Sequence, residues 1–197
     1  MGVSTTASGF ASTAMGRNAS TNLKSGSFVY GDASTTSIVN APALNSFTVR
    51  AAGGTTFFSN RSLTSGVSLA PGAGAWASVS DRNRKEHFRD EDGEAVLTKI
   101  AALPIQRWSY KSQAPSIRHL GPTAQDFYAA FGLGEGELTI TTTDIDGVNL
   151  LAVQALEKRT AELRAEVAQL KEQNARLLDR LMELEAMVRS MVGAESN

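Results

Sequence analysis

The chain of 197 residues contains no cysteine, so disulfide bonds and thiolate zinc sites are excluded. Charge is scarce in the first 80 residues, which hold only Arg17, Lys24, Asp32, Arg50 and Arg61. The rest of the chain carries 15 of the 19 basic and 19 of the 20 acidic residues. Neither part has the dense basic surface that phosphate neutralisation requires, so we expect no nucleic-acid partner.

Long apolar runs are also missing, and none approaches the roughly 20 residues that a membrane span needs. The first six residues have neither the basic start nor the apolar core of a signal peptide. We therefore expect no membrane partner. A protein assembled in the cytosol would fit these absences, and so would a fragment of a longer chain.

Metal and cofactor sites are not expected, because two histidines without cysteine make a weak ligand set. A solvated structural role is favoured for His87 and a buried, hydrogen-bonded one for His119. The run of Asp144 to Gly147 resembles a calcium loop, but its glycine comes too early and the terminal glutamate is missing. Helix capping by Asp144 or Asp146 explains this run better.

Small residues dominate the first eighty positions. Residues 14–20 recur approximately at 29–34, with an apolar pair, a glycine, a polar step and then Ala-Ser. Such repeats suggest stacked β-turns, since glycine permits a positive φ and small side chains allow close approach. They resemble the head repeats of trimeric autotransporter adhesins, and the alternative is a flexible Ser/Gly linker. Two β-prone runs surround a Gly-Gly turn within 47–58, which predicts a hairpin or β-prism.

The charged middle of the chain alternates helix and strand signals. Asp92 precedes an amphipathic pattern that ends at Leu103, before Pro104. Residues 105–111 alternate as a half-buried strand does, with Trp108 and Tyr110 on the inward face. A second short helix is predicted through residue 131, and a further strand over 138–143.

An unbroken heptad repeat follows and predicts a coiled coil from 148 to 190, about 65 Å long. The d positions are Leu156, Leu163, Leu170, Leu177, Leu184 and Met191, and the a positions are Val153, Thr160, Val167, Asn174, Leu181 and Val188. Charge pairs between heptads mildly support parallel helices. Valine at a, leucine at d and one asparagine would by themselves favour a dimer.

The boundary between the charge-poor and the charge-rich part of the chain lies at residues 79–85. Ser80 is followed five residues later by Lys85, close enough for a turn to bring the amine back to the hydroxyl. A serine needs a base to act as a nucleophile, and lysine serves when burial or nearby cations lower its pKa. A plain loop with Asp81 as helix cap is the alternative interpretation.

Several blocks together resemble the endosialidase-type intramolecular chaperone domain of phage tailspikes and tail fibres, which has a related copy in myelin regulatory factor. The blocks are Ser80-Asp81 with Lys85, Trp108 to Lys111, His119 to Gly121 with Ala124 to Asp126, and a capped helix that enters the coiled coil. The resemblance implies a homotrimer that sets three chains in register and is released by autoproteolysis, with Ser80 as nucleophile and Lys85 as base. One departure is Glu86-His87-Phe88, where the family more often has Glu-Asn-Ile.

We therefore predict an α+β fold. A trimeric, β-prism or β-helix-like rod is expected over 1–79 and an α+β chaperone core over 80–147. A parallel coiled coil is expected over 148–191 and a disordered tail over 192–197.

The predicted function is an intramolecular chaperone that cuts itself at Ser80–Asp81, with Ser80, Lys85 and Asp81 as candidate catalytic residues. An N-to-O acyl shift would instead cut Val79–Ser80. The expected partners are two further copies of the chain and an upstream fibre, in a phage virion or at a bacterial surface after synthesis in the host cytoplasm. The main alternative is a structural trimerisation module that does not cleave. A transcription factor is disfavoured because no basic region precedes the heptads.

Overall fold

The structure is a computed structural model that describes residues 2–194. It combines small β-sheets with three α-helices, so the predicted mixture of α and β structure is confirmed. The described residues divide into two compact units, 2–88 and 89–194.

The first unit is built from short strands. In chain order they are β1 (Gly2–Val3), β2 (Thr13–Arg17), β3 (Ala19–Ser20), β4 (Phe28–Gly31), β5 (Val39–Asn40), β6 (Phe47–Arg50), β7 (Thr55–Phe58), β8 (Gly66–Leu69) and β9 (Ala77–Ser78). Strands β1, β2, β4 and β6 form one parallel sheet in that order, and β3 pairs with β5 in a second parallel sheet. The chain therefore winds in successive coils that stack on one another.

The interior of these coils is narrow and lined by small side chains. Ala14 and Val29 are register partners on β2 and β4, and both are buried. Ala19 and Ala41 complete the cluster, with Val39 packed against it. Gly16 has a φ of 82°, and a Cβ there would overlap the carbonyl oxygen of Gly31. The glycine and alanine positions of the sequence repeat thus follow from the close approach of neighbouring coils.

The predicted hairpin within residues 47–58 is wrong. Strand β6 pairs in parallel with β4, where Phe47 stacks on Phe28 with 5.0 Å between the ring centroids. Strand β7 pairs with β8 instead, in an antiparallel sheet of order β7-β8-β9. The turn closed by the Gly54 amide on the Ala51 carbonyl leads from one sheet to the other. The Gly-Gly signal marks a turn, but the two runs that flank it join different sheets.

The second unit contains α1 (Gly93–Ala102), β10 (Gln106–Trp108), β11 (His119–Gly121), α2 (Ala124–Phe131) and α3 (Thr142–Ala194). The side chain of Asp92 caps α1 by accepting from the Glu94 amide, as the sequence predicts. Strands β10 and β11 are antiparallel partners. Val96, Phe127, Val148 and Ala152 form the buried core between the three helices.

The predicted strand over 138–143 is wrong, because a helix cap occupies its end. Thr141 accepts a hydrogen bond from the Asp144 amide at 3.2 Å and donates to the Asp144 carboxylate at 2.7 Å. The Thr141 hydroxyl therefore caps α3, which begins at Thr142. Asp144 lies in the first turn of the helix, so the run belongs to a helix start, but the cap is Thr141 and not Asp144 or Asp146.

Helix α3 has two different faces. Val148, Ala152 and Ala155 are buried within the unit. The a and d positions lie away from that face, and Val153 and Leu163 are 62% and 60% exposed. The helix continues to Ala194, and the last three residues of the expected tail lie outside the described residues. Across the described part of the chain, no helix combines the length and apolarity needed to cross a membrane.

Candidate functional site

Strand pairing fixes the approach to Ser80. Strand β9 pairs with β8, with Ser78 opposite Val67. The Val79 amide then donates to the Gly66 carbonyl at 3.4 Å. Ser80 therefore follows directly on a segment that is held by its backbone against the antiparallel sheet.

A single turn then reverses the chain. Residues Arg82–Arg84 form a 3₁₀ turn, and the Lys85 amide donates to the Arg82 carbonyl at 3.1 Å. This geometry brings the Lys85 side chain back to Ser80, where Nζ donates to Oγ over 2.7 Å. The two candidate catalytic groups are thus in hydrogen-bond contact within one chain.

Asp81 lies at the same turn but serves it differently. Its carboxylate caps the turn by accepting from the Asn83 amide at 2.9 Å and from the Asn83 side chain at 3.1 Å. Its other oxygen lies 3.7 Å from Nε of Arg84. The Asp81 side chain therefore shapes the turn, and it is not hydrogen-bonded to Ser80 or Lys85 within the described residues.

Ser80 and Lys85 are both exposed to solvent in the single chain, as are their neighbours from 71 to 92. A hydroxyl next to an amine gains nucleophilic character when the amine is neutral, and neutral amines are favoured by burial. The fold of residues 71–92 in one chain does not bury this pair.

Two arginines of the turn have separate contacts. The guanidinium of Arg84 donates to the Thr64 carbonyl at 2.9 Å, in the loop between β7 and β8. The guanidinium of Arg82 lies over the Phe88 ring, 4.7 Å from its centroid. The contact between Arg84 and Thr64 gives no signal in the sequence, because its acceptor is a backbone carbonyl twenty residues away.

His87 occupies a left-handed backbone conformation, with a φ of 56°. Its side chain is 88% exposed, and its Nε2 lies 3.4 Å from the Glu86 carboxylate. Asparagine is the residue that most readily adopts this conformation after glycine, and histidine is also enriched there. Histidine at this position is therefore compatible with the left-handed backbone of the junction.

A second cluster of polar and aromatic groups lies on β10 and β11. The Trp108 ring contacts Tyr110 and His119, with centroid distances of 4.8 and 4.7 Å. Nε2 of His119 lies 2.8 Å from the Gln113 side-chain oxygen. The Trp108 indole nitrogen is buried and has no acceptor within the described residues. Of the predicted inward face only Trp108 is partly buried, since Gln106 is exposed and Tyr110 is 55% exposed.

Metal binding finds no support in the side chains. Within residues 2–194, no group of three or more histidine, aspartate or glutamate side chains is placed to hold an ion.

Comparison with protein families gives one match. Residues 80–132 match the model of a peptidase family described as the chaperone of endosialidase. The match begins at Ser80, includes Lys85 and ends one residue after α2. Neither a curated protein nor a solved structure matched the chain.

Proposed function

We propose that this chain is an intramolecular chaperone that cuts itself at the junction of residues 79–85. The proposal starts from the match of residues 80–132 to the endosialidase-type chaperone family. The chain assembles as a parallel homotrimer, sets three copies of the upstream rod in register, and releases itself by cleavage at Ser80–Asp81. The observation that carries this proposal is the 2.7 Å contact between Ser80 and Lys85 at the first residues of the matched domain. A phage tail fibre, or a surface adhesin of similar build, is the protein that such a domain would complete.

Assembly is supported by the a and d positions of α3, which form an exposed apolar seam along the helix. Leucine side chains at the d positions, such as Leu156, Leu163 and Leu177, are 50–60% exposed in one chain. Full burial of one such side chain is worth about 1.5–3 kcal/mol, so the seam favours association with further copies. The opposite face of the helix already packs within its own unit, which leaves the seam free for partners.

The chemistry needs only these two side chains and water. Neutral Lys85 takes the proton of the Ser80 hydroxyl, and the oxygen adds to a backbone carbonyl carbon. The tetrahedral adduct then breaks its C–N bond, and the proton passes to the leaving amine. This step leaves an ester on Ser80, and water hydrolyses it to a carboxylate and a free hydroxyl.

The size of the ring that forms when the Ser80 hydroxyl attacks a carbonyl of its own chain indicates which bond that chain can cut by itself. Within one chain, the Ser80 hydroxyl reaches the Val79 carbonyl through a five-membered ring, whereas its own carbonyl would require a strained four-membered lactone. Cleavage at Ser80–Asp81 therefore uses the Ser80 hydroxyl of a neighbouring copy, which the trimer supplies. Cleavage at Val79–Ser80 is the outcome of the intramolecular N-to-O shift.

Intact-mass measurement of the purified chain tests the proposal. Wild type should give two fragments, with the N-terminal one ending at Ser80, whereas Ser80→Ala and Lys85→Ala should stay whole. Ser78→Ala and Lys111→Ala are matched controls at exposed positions and should be cut as wild type is. An uncut wild-type chain in its assembled state would refute cleavage, and fragments from a sample that contains only Ser80→Ala chains would refute Ser80 as the nucleophile.

Mixed trimers separate the two routes. A tagged Ser80→Ala chain is refolded together with an excess of wild type, and its fragments are identified by the tag. Attack by a neighbouring copy should cut the tagged chain after residue 80. A tagged chain that stays whole among cut wild-type chains would assign the reaction to the shift at Val79–Ser80.

A permanent trimerisation module is the second candidate. The exposure of Ser80 and Lys85 in the single chain favours it. It predicts a stable trimer by light scattering whose chains keep their full mass indefinitely.

A further inference from the structure

We propose that Arg84 is a positioning residue that couples the self-cleavage junction to the hairpin of β7 and β8, so that the cut follows the folding of that hairpin. This inference rests on the proposed self-cleavage. It is carried by the contacts through which Ser80 and Lys85 are each attached to the same upstream hairpin.

Ser80 is attached through its preceding backbone. Residues Ala77 and Ser78 of β9 pair with β8, and the Val79 amide adds a bond to Gly66 at the start of β8. Strand β8 is itself held by β7 along its whole length. The position of the hydroxyl therefore depends on the hairpin through strand pairing.

Lys85 is attached through its neighbour Arg84. The Arg84 guanidinium donates to the Thr64 carbonyl at 2.9 Å, which fixes the turn that carries Lys85 against the tip of the hairpin. Arg84 also lies 3.7 Å from the Asp81 carboxylate that caps this turn. One side chain therefore joins the turn to the loop of residues 59–65.

The loop is rigid where Arg84 meets it, because Asn60 organises it. The Asn60 side-chain oxygen accepts from the Thr64 and Ser65 amides at 2.9 and 3.1 Å. Its nitrogen donates to Ser62 Oγ and Thr64 Oγ1 at 3.0 and 2.7 Å. These four bonds fix the peptide of Thr64, and with it the carbonyl that receives Arg84.

The consequence is that cleavage depends on the folding of the hairpin. With the hairpin formed, strand pairing and Arg84 hold the two ends of the 80–85 segment within hydrogen-bond distance. Without it, the exposed segment keeps only its own short turn to bring hydroxyl and amine together. Since a misplacement of about 1 Å can lower a reaction rate by about 100-fold, loss of the anchor should slow the cut strongly.

The experiment follows cleavage of the full chain by intact mass after folding is started by dilution from denaturant. Arg84→Ala and Asn60→Ala should each slow the cut by about tenfold or more. Arg82→Ala and Arg61→Ala are the matched controls: Arg82 contacts Phe88 instead of the loop, and Arg61 is the exposed neighbour of Asn60. Both controls should cut at nearly the wild-type rate. Wild-type rates in Arg84→Ala would overturn the proposal.

Two further measurements distinguish coupling of the junction to the hairpin from a general loss of structure. The Arg84→Ala, Asn60→Ala double variant should be no slower than the slower single variant, because both changes break one path. Arg84→Lys keeps the charge and a donor, and should recover part of the lost rate. Additive slowing in the double variant would contradict the single path.

Hydrogen exchange gives a readout that does not depend on cleavage. In a Ser80→Ala chain, which stays whole, Asn60→Ala should speed exchange at the Arg84 and Lys85 amides, whereas Arg61→Ala should not. Unchanged exchange would overturn the coupling even if wild type cuts itself. Faster exchange in a protein whose wild-type form is never cut would support the coupling and refute the self-cleavage.

Discussion

Nε of Arg50 lies 3.0 Å from Oδ1 of Asp32, with both side chains about one-fifth exposed. The same guanidinium donates to the carbonyls of Asp32, Arg17 and Ser37. Strand β6 carries Arg50 and is the last strand of the parallel sheet. Arg50 therefore joins the last strand of the sheet to backbone carbonyls of Arg17, on β2, and of Asp32, which follows β4.

The pKa of Asp32 is held far below its usual range, first by the hydrogen bond from the Ser34 hydroxyl and then by those from the Ala52 amide and Arg50. A carboxylate with a lowered pKa in the folded state stabilises the fold above its unfolded pKa of about 3.9. That contribution is lost as the pH falls below this value. We predict that Asp32→Asn lowers the thermal unfolding midpoint at pH 7 and that the difference from wild type shrinks on acidification.

The matched control for this prediction is Asp90→Asn, which changes the same charge at an exposed position. It should leave the pH dependence of the first unit as in wild type. Calorimetric scans from pH 7 to 3 test both variants. A difference between wild type and Asp32→Asn that grows on acidification would contradict the assignment.

Local signals were sufficient to predict much of the second unit. Asp92 as cap and Pro104 as stop predict α1 closely, and the heptads predict the long helix although not its first turn. The start at Thr142 depends on the cap by the Thr141 hydroxyl, and the same residues also have the composition of a strand. Secondary structure can thus be predicted where a cap and a hydrophobic period agree.

The first unit shows what local patterns leave open. The repeat predicts tight coils, but the pairing of β6 with β4 depends on the stacking of Phe47 with Phe28, which lies nineteen residues earlier. At the junction, the five-residue spacing predicts the contact of Ser80 with Lys85. The anchor of Arg84 on a distant backbone carbonyl has no residue pattern of its own.

His87 provides a prediction about backbone strain. Its φ of 56° suits asparagine and histidine, whereas a β-branched residue is strained there. We expect His87→Asn to leave folding and any cleavage close to wild type. His87→Val should destabilise the junction by about 1–2 kcal/mol. Hydrogen exchange at residues 82–88 measures the difference, and equal protection in both variants would contradict it.

Trp108 provides a prediction about an unmet hydrogen bond. Its indole nitrogen is buried without an acceptor in the described residues, and such a donor costs about 1–3 kcal/mol. Trp108→Phe removes the donor and keeps an aromatic ring against Tyr110 and His119. We therefore expect Trp108→Phe to unfold at a denaturant concentration no lower than wild type, while Trp108→Ala unfolds well below it. A clear loss of stability in Trp108→Phe would mean that assembly supplies an acceptor.

The a positions of the seam include two polar residues, Asn174 and, near the start, Thr160. A buried asparagine at such a position fixes register and oligomeric state and lowers stability. We predict that Asn174→Ile raises the unfolding midpoint, because an apolar layer replaces a polar one. Glu183→Gln, at a c position away from the seam, is the control and should change neither stability nor mass. Light scattering on the wild-type sample should give a trimer, although valine at a and leucine at d by themselves favour two helices. A stable wild-type dimer would contradict the trimer.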